Sequence, residues 1–152
     1  MFICDTMLGK LARWLRILGY DTLYTREEDN DILAIARREN RMILTRDREL
    51  AERAEHGFLL RGFSIDEQLM ELLETGIITM DESKMLTRCT LCNSTLRRIE
   101  KDQVKGKVPE GSFESSERFW YCEHCDKYYW TGKHWSDIKE RVERLRRLRT
   151  SL

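Results

Sequence analysis

The sequence predicts an α/β fold, a small parallel sheet with helices on both faces, followed by a compact cysteine-bearing unit and a closing helix. Two observations predict it. Over residues 1–85, short apolar runs that end in polar residues alternate with stretches of helical spacing, the βαβα rhythm of a parallel sheet covered by helices. Over the remainder, four of the five cysteines fall into two C-x2-C steps, and the last stretch carries one apolar stripe among arginines. The expected units are therefore 1–85, 86–135 and 136–152.

The elements follow in order. Phe2-Ile3-Cys4 reads as a strand that stops at Asp5. Leu8, Leu11, Ala12, Leu15 and Leu18 then keep helical spacing, and Gly19 is placed as the C-terminal stop. Thr22-Leu23-Tyr24 is the next strand. A second helix begins at Asp29-Asn30-Asp31 and buries Ile32, Ile35 and Ala36, before Met42-Ile43-Leu44-Thr45 supplies another strand. A third helix is expected near Arg48 to Glu55, and a short strand at Phe58-Leu59-Leu60. Ser64-Ile65-Asp66-Glu67 is a capping box that opens a fourth helix through Leu73. Gly106, Pro109 and Gly111 predict a mobile loop over 101–116. Ile138, Val142, Leu145 and Leu148 give the last helix a stripe with which to dock, dimerise or lie along a polyanion.

Cys89-Thr-Leu-Cys92 and Cys122-Glu-His-Cys125 form the ligand set of a structural zinc. A two-residue gap turns both thiolates of a knuckle toward one ion, and two knuckles complete the tetrahedral S4 shell that Zn2+ prefers. Twenty-nine residues separate the knuckles, so the hairpin between them must be decorated. Disulfides are the rival reading, but the chain starts Met1-Phe2-Ile3-Cys4-Asp5 without a basic n-region or long apolar h-region, so a cytoplasmic location is expected. His124 and His134 read as bystanders of a saturated ion, and Cys4 as a buried strand residue.

The formal net charge of zero hides a polarised chain. Residues 1–85 hold 12 Lys and Arg against 17 Asp and Glu, while residues 86–152 hold 15 against 10. This asymmetry suggests that the first half concentrates carboxylates and the second meets a polyanion. No apolar run approaches the roughly 18 residues of a membrane span.

Ligand sites of parallel sheets gather beyond the carboxyl ends of the strands, and here those ends are acidic. Asp5 follows the first strand, Asp47 and Glu49 follow the third, and Asp31 opens the intervening helix, with Asp29 two residues away as its competitor. Converging carboxylates repel one another and make physical sense around a divalent cation. The alternative is capping, because Asp29 and Asp31 are also good helix N-cap residues and Glu49 favours a helix start. Lys10, Arg13 and Arg16 recur at three-residue steps after Asp5, a ridge suited to phosphates or simply a solvated face; Arg46 adjoins Asp47. Around the second knuckle, Trp120, Tyr121, Tyr129, Trp130 and Trp135 interleave with Arg118, Lys127 and Lys133, a composition that serves packing and base stacking alike.

The run from Asp5-Thr-Met-Leu-Gly-Lys10 to Asp21, then Leu44-Thr45-Arg46-Asp47-Arg48-Glu49-Leu50, then the two knuckles with Asn93 and Tyr129-Trp130-x-Gly132-x-His134-Trp135, resembles the Mut-seven C-terminal ribonuclease domain family. The resemblance covers nearly the whole chain. It implies a PIN-like nuclease domain with an appended zinc ribbon, RNA as the partner and no nucleotide cofactor. It also implies Asp5, Asp31 and Asp47 as the carboxylates for catalytic Mg2+ or Mn2+, with Glu49 a weaker fourth. Cleavage leaving a 5′-phosphate and a 3′-hydroxyl is what the family leads one to expect. The chemistry is consistent, since carboxylate-held divalent ions activate water without a Ser, Cys or His nucleophile. A noncatalytic RNA-binding or ribonucleoprotein assembly factor with an inactive PIN-like domain is the alternative. A phosphate-accepting receiver domain fits less well, given the appended ribbon and the arginines of the first helix.

Overall fold

The computed structural model describes residues 1–150. Strands β1 (Phe2–Cys4), β2 (Thr22–Tyr24), β3 (Met42–Thr45) and β4 (Gly57–Leu59) form one sheet in the order β2-β1-β3-β4, every pairing parallel. Helices α1 (Gly9–Ile17), α2 (Asp29–Glu39), α3 (Arg48–Arg53) and α4 (Ile65–Glu74) connect and extend these strands. The chain leaves β1 toward β2 and then crosses back to β3. The topological switch point, where ligand crevices form, therefore lies between β1 and β3.

Alternation along the strands assigns each residue to a layer. Phe2, Cys4 and Leu44 join Leu11, Leu15, Leu69 and Leu72 on the α1 and α4 side. Ile3 and Ile43 join Ile32, Ala36 and Leu50 on the α2 and α3 side. Burial pushes the Cys4 thiol far above its ordinary range, the neighbouring Asp5 adding to the effect, so it is an inert core residue. Gly19, at φ +95°, ends α1, and its missing Cβ leaves room for the Lys84 carbonyl, which a methyl there would approach to 2.3 Å. The capping box at Ser64 and Glu67 is formed as expected.

The second sheet is antiparallel, built from β5 (Arg97–Ile99), β6 (Phe119–Cys122) and β7 (Lys127–Trp130). The expected mobile loop over 101–116 is instead folded. A 3-10 turn at Lys101–Val104 and a short helix α5 (Glu110–Ser115) bury Val104 and set Phe113 against Phe119 and Ile99. Gly106 and Gly111 punctuate this decoration without loosening it, because Val104, Val108 and Phe113 give it an apolar face to bury.

The last helix, α6 (Lys133–Thr150), docks. Ile138, Val142 and Leu145 are buried in the same cluster as α1 and α4. Leu148, the fourth residue of the stripe, is half exposed. Arg141 lies over the Trp14 ring, and Arg141 and Arg144 pair with Asp66. The chain thus leaves the first layer for the second sheet and returns to finish the first core.

Candidate active site and metal centre

Two separate constellations stand on this frame. The first is the acidic rim at the carboxyl ends of β1 and β3. Asp5 follows β1 directly, and its Oδ2 accepts a hydrogen bond from the Thr45 hydroxyl at 2.5 Å. The Thr45 Oγ1 in turn accepts the backbone N–H of Asp47 at 2.9 Å. Thr45 is fully buried, so this relay fixes Asp5 and Asp47 relative to one another across the switch point. Asp47 caps α3 through Oδ1, which accepts the Glu49 and Leu50 N–H groups. Asp5 Oδ1 is buried and has no hydrogen-bond partner. A carboxylate oxygen left in that condition costs free energy unless water or a ligand satisfies it.

The helix start expected at Asp29-Asn30-Asp31 is where α2 begins, with both acids in its first turn and Glu28 as the N-cap residue. Asp31 is exposed and Asp29 half-buried. Glu49 is 79% exposed and pairs with Arg53 at 4.0 Å. Among the described residues, the rim carboxylates do not close into a group of three or more with ligand atoms within 4.8 Å of one another.

Of the expected basic ridge, Lys10 and Arg13 are exposed on α1. Arg16 leaves it. Only 7% exposed, it donates to the carbonyls of Thr22 (2.9 Å), Thr90 (3.0 Å) and Leu91 (3.2 Å), tying α1 to the first knuckle. Its guanidinium is spent inside the molecule and is not presented to phosphates. Arg46 sits half-buried beside Asp47, with its guanidinium over the Phe63 ring.

The second constellation is the cysteine quartet. Cys89, Cys92, Cys122 and Cys125 are the one group among the described residues whose ligand atoms all lie within 4.8 Å of one another. Sγ–Sγ separations of 3.9 Å (Cys89–Cys125) and 3.5 Å (Cys92–Cys122) bracket the tetrahedral edge of ~3.8 Å implied by Zn–S bonds of ~2.3 Å. Left-handed backbone at Asn93 (φ 72°) and Asp126 (φ 50°) turns each knuckle. His124 and His134 are exposed and lie outside the group.

Two residues to which the sequence assigns no orienting role complete these sites. Thr45 is one; a threonine ending an apolar strand two residues before an acid is its signal. Tyr129 is the other. Its hydroxyl lies 3.1 Å from Cys89 Sγ and accepts the Thr90 N–H at 3.1 Å, the kind of outer contact that orients a metal ligand. Nothing in its spacing separates it from the other ribbon aromatics.

The first knuckle docks at the opposite end of the sheet from the acidic rim. Asn93 Oδ1 accepts the Thr22 N–H at 2.9 Å, and its amide donates to Asp21 Oδ1 at 2.7 Å. Arg41 pairs with the same carboxylate at 2.7 Å, and Arg88 lies 3.8 Å away. Burial alone would raise the Asp21 pKa. Hydrogen bonds from Arg41 and Asn93, with the charges of Arg41 and Arg88, outweigh it and hold the carboxyl below its ordinary range.

A family model described as the Mut7-C RNAse domain matches residues 1–142. No curated protein and no solved structure matches the chain.

Proposed function

Because the chain belongs to the Mut7-C RNAse domain family, we propose that it is a PIN-like, metal-dependent ribonuclease that hydrolyses RNA phosphodiester bonds at the acidic rim. The observation that carries this reading is Asp5, whose buried Oδ1 has no partner while Thr45 holds its other oxygen beside Asp47 at the switch point. Asp5 and Asp47 would hold Mg2+ or Mn2+, with Asp31 contributing from the start of α2. Such an ion would lower the pKa of water and neutralise charge on the phosphate. Thr45 sets the geometry, and Lys10 and Arg13 bring cations to the approaching backbone.

The cysteine quartet would hold zinc in a closed, structural role, since four thiolates leave no open coordination position. A cleft of about 220 Å³ between α1, β7 and the start of α6 supports a share in RNA binding for the ribbon. Arg13, Lys127 and Lys133 line it beside Tyr128, Trp130 and Trp135, cations and rings that suit phosphates and unpaired bases.

The test is cleavage of assorted RNAs by the zinc-loaded chain with Mn2+ or Mg2+. Loss of a carboxylate ligand removes several kcal/mol of charge stabilisation, about a thousandfold in rate, so Asp5→Asn and Asp47→Asn should each abolish cleavage while retaining the native circular dichroism. Undiminished cleavage by both variants refutes the site. RNA binding without cleavage by the native chain selects the noncatalytic assembly factor.

A further inference from the structure

Phe63 is the most exposed large apolar side chain among the described residues, at 81%. An isolated exposed ring on a loose loop would mean little, but this loop is held rigid. The Glu71 carboxylate accepts the N–H groups of Arg61 and Gly62, and Glu67 Oε2 accepts those of Phe63 (2.7 Å) and Ser64 (3.0 Å). Gly62 permits the close approach, since a Cβ there would lie 2.7 Å from the Glu67 Cβ. The ring is further fixed from one side by Arg46, whose guanidinium carbon stands 4.1 Å from its centroid. One aromatic face is therefore backed by a cation while the side chain as a whole stays in water.

Beside it, Arg46, Arg48 and Arg61 line one open recess floored by Leu59 and Leu60, at the carboxyl ends of β3 and β4 next to Asp47. Among the described residues, none of these three arginines forms an ion pair, whereas Arg41, Arg88, Arg97, Arg141 and Arg144 all do. In a chain with equal numbers of acids and bases, three guanidinium groups without a salt-bridge partner, of which Arg46 also acts on the charge of Glu67, gather beside the carboxylate rim and offer positive charge to an anion.

We propose that Phe63, Arg46, Arg48 and Arg61 form a clamp for one unpaired nucleotide of the RNA, the base stacking on Phe63 and the flanking phosphates held by the arginines, which makes single-stranded RNA the substrate class. The proposal rests on the ribonuclease reading for RNA as the ligand that passes Asp47, and on these residues alone for the clamp. A base must leave a duplex to lie on the ring, so the clamp discriminates against paired RNA.

The test is fluorescence anisotropy of the zinc-loaded full chain, without added Mg2+ or Mn2+, on a short unstructured oligoribonucleotide and on the same sequence as a blunt duplex. Phe63→Ala should weaken single-strand affinity by roughly tenfold, the scale of one base–aromatic stack, and leave duplex affinity unchanged. Phe63→Trp should restore single-strand affinity. Arg61→Ala should weaken single-strand binding and reduce its salt slope by about one. Single-strand affinity of Phe63→Ala within twofold of the native chain overturns the clamp, as does an equal loss on single strand and duplex. Binding that depends on Phe63 in a chain that cleaves nothing keeps the clamp and removes the ribonuclease reading. Cleavage with Phe63-independent binding does the reverse.

Discussion

A buried threonine carries the geometry of the acidic rim. Thr45 Oγ1 donates to Asp5 and accepts from the Asp47 backbone, so one hydroxyl sets the spacing of two acids that arrive from different strands. Thr45→Val keeps the shape and deletes both bonds. Leaving the Asp47 N–H and Asp5 Oδ2 unpaired should cost about 1–3 kcal/mol of stability. Loss of an outer orienting contact should lower cleavage about 10- to 100-fold and raise the Mn2+ concentration it needs. Urea melts and cleavage titrated with Mn2+ check both parts, and Thr45→Ser should recover most of each. A Thr45→Val chain with native rate and native Mn2+ dependence shows that the hydroxyl only packs. Arg16 makes the opposite point about single residues. Steps of three residues fall about 60° short of a full helical turn, so Lys10, Arg13 and Arg16 fan around α1, and the last turns inward to the Thr90 and Leu91 carbonyls.

At the scale of elements, the strands and helices of the first sheet were legible because each carries its own local signal. Met42–Thr45 is apolar and β-branched, Gly19 ends α1 at positive φ, and Ser64 with Glu67 closes a capping box. The folded decoration at 101–116 was not legible, because its stability comes from Val104 and Phe113 meeting Ile99 and Phe119 across the sheet, a contact without period. The seam between the first knuckle and the β2 start was equally hidden, since Asp21, Arg41 and the knuckle residues Arg88 and Asn93 come from three separate stretches of the chain. That seam titrates. The Asp21 pKa is lower in the folded chain than in the unfolded one, so its contribution is fully present above the unfolded value near 3.9 and is lost as pH falls through the folded value. Asp21→Asn should therefore lower stability at neutral pH and flatten the acid limb below about pH 4. Urea midpoints measured against pH test this. An acid limb as steep as in the native chain places the titrating groups elsewhere.

At the scale of the whole molecule, the charge asymmetry of the sequence is partly consumed within the fold. Arg141 and Arg144 pair with Asp66, Lys139 and Arg146 with Glu82, and Arg88 with Asp21, each a basic residue of the second half on an acid of the first. The same topology makes a metal held by the quartet a matter for the entire chain. The ribbon lies between two segments of one core, Met85 on its entry side and Ile138 on α6 beyond it. With the quartet filled, that intervening stretch is a short rigid bridge. Emptied by chelation it becomes a flexible loop of some fifty residues, and closing such a loop to return α6 to α4 costs on the order of 3 kcal/mol. The hydrogen bonds that Arg16 and Asn93 make across the seam are lost at the same time. Against a typical total stability of about 5–15 kcal/mol, the nuclease core cannot ignore that sum. Metal removal should therefore lower the melting temperature of the whole chain, followed together by helix dichroism and by the emission of its four tryptophans, and zinc should restore it. Two separate transitions, with the helical one unmoved by chelation, show that the ribbon and the first core are energetically independent.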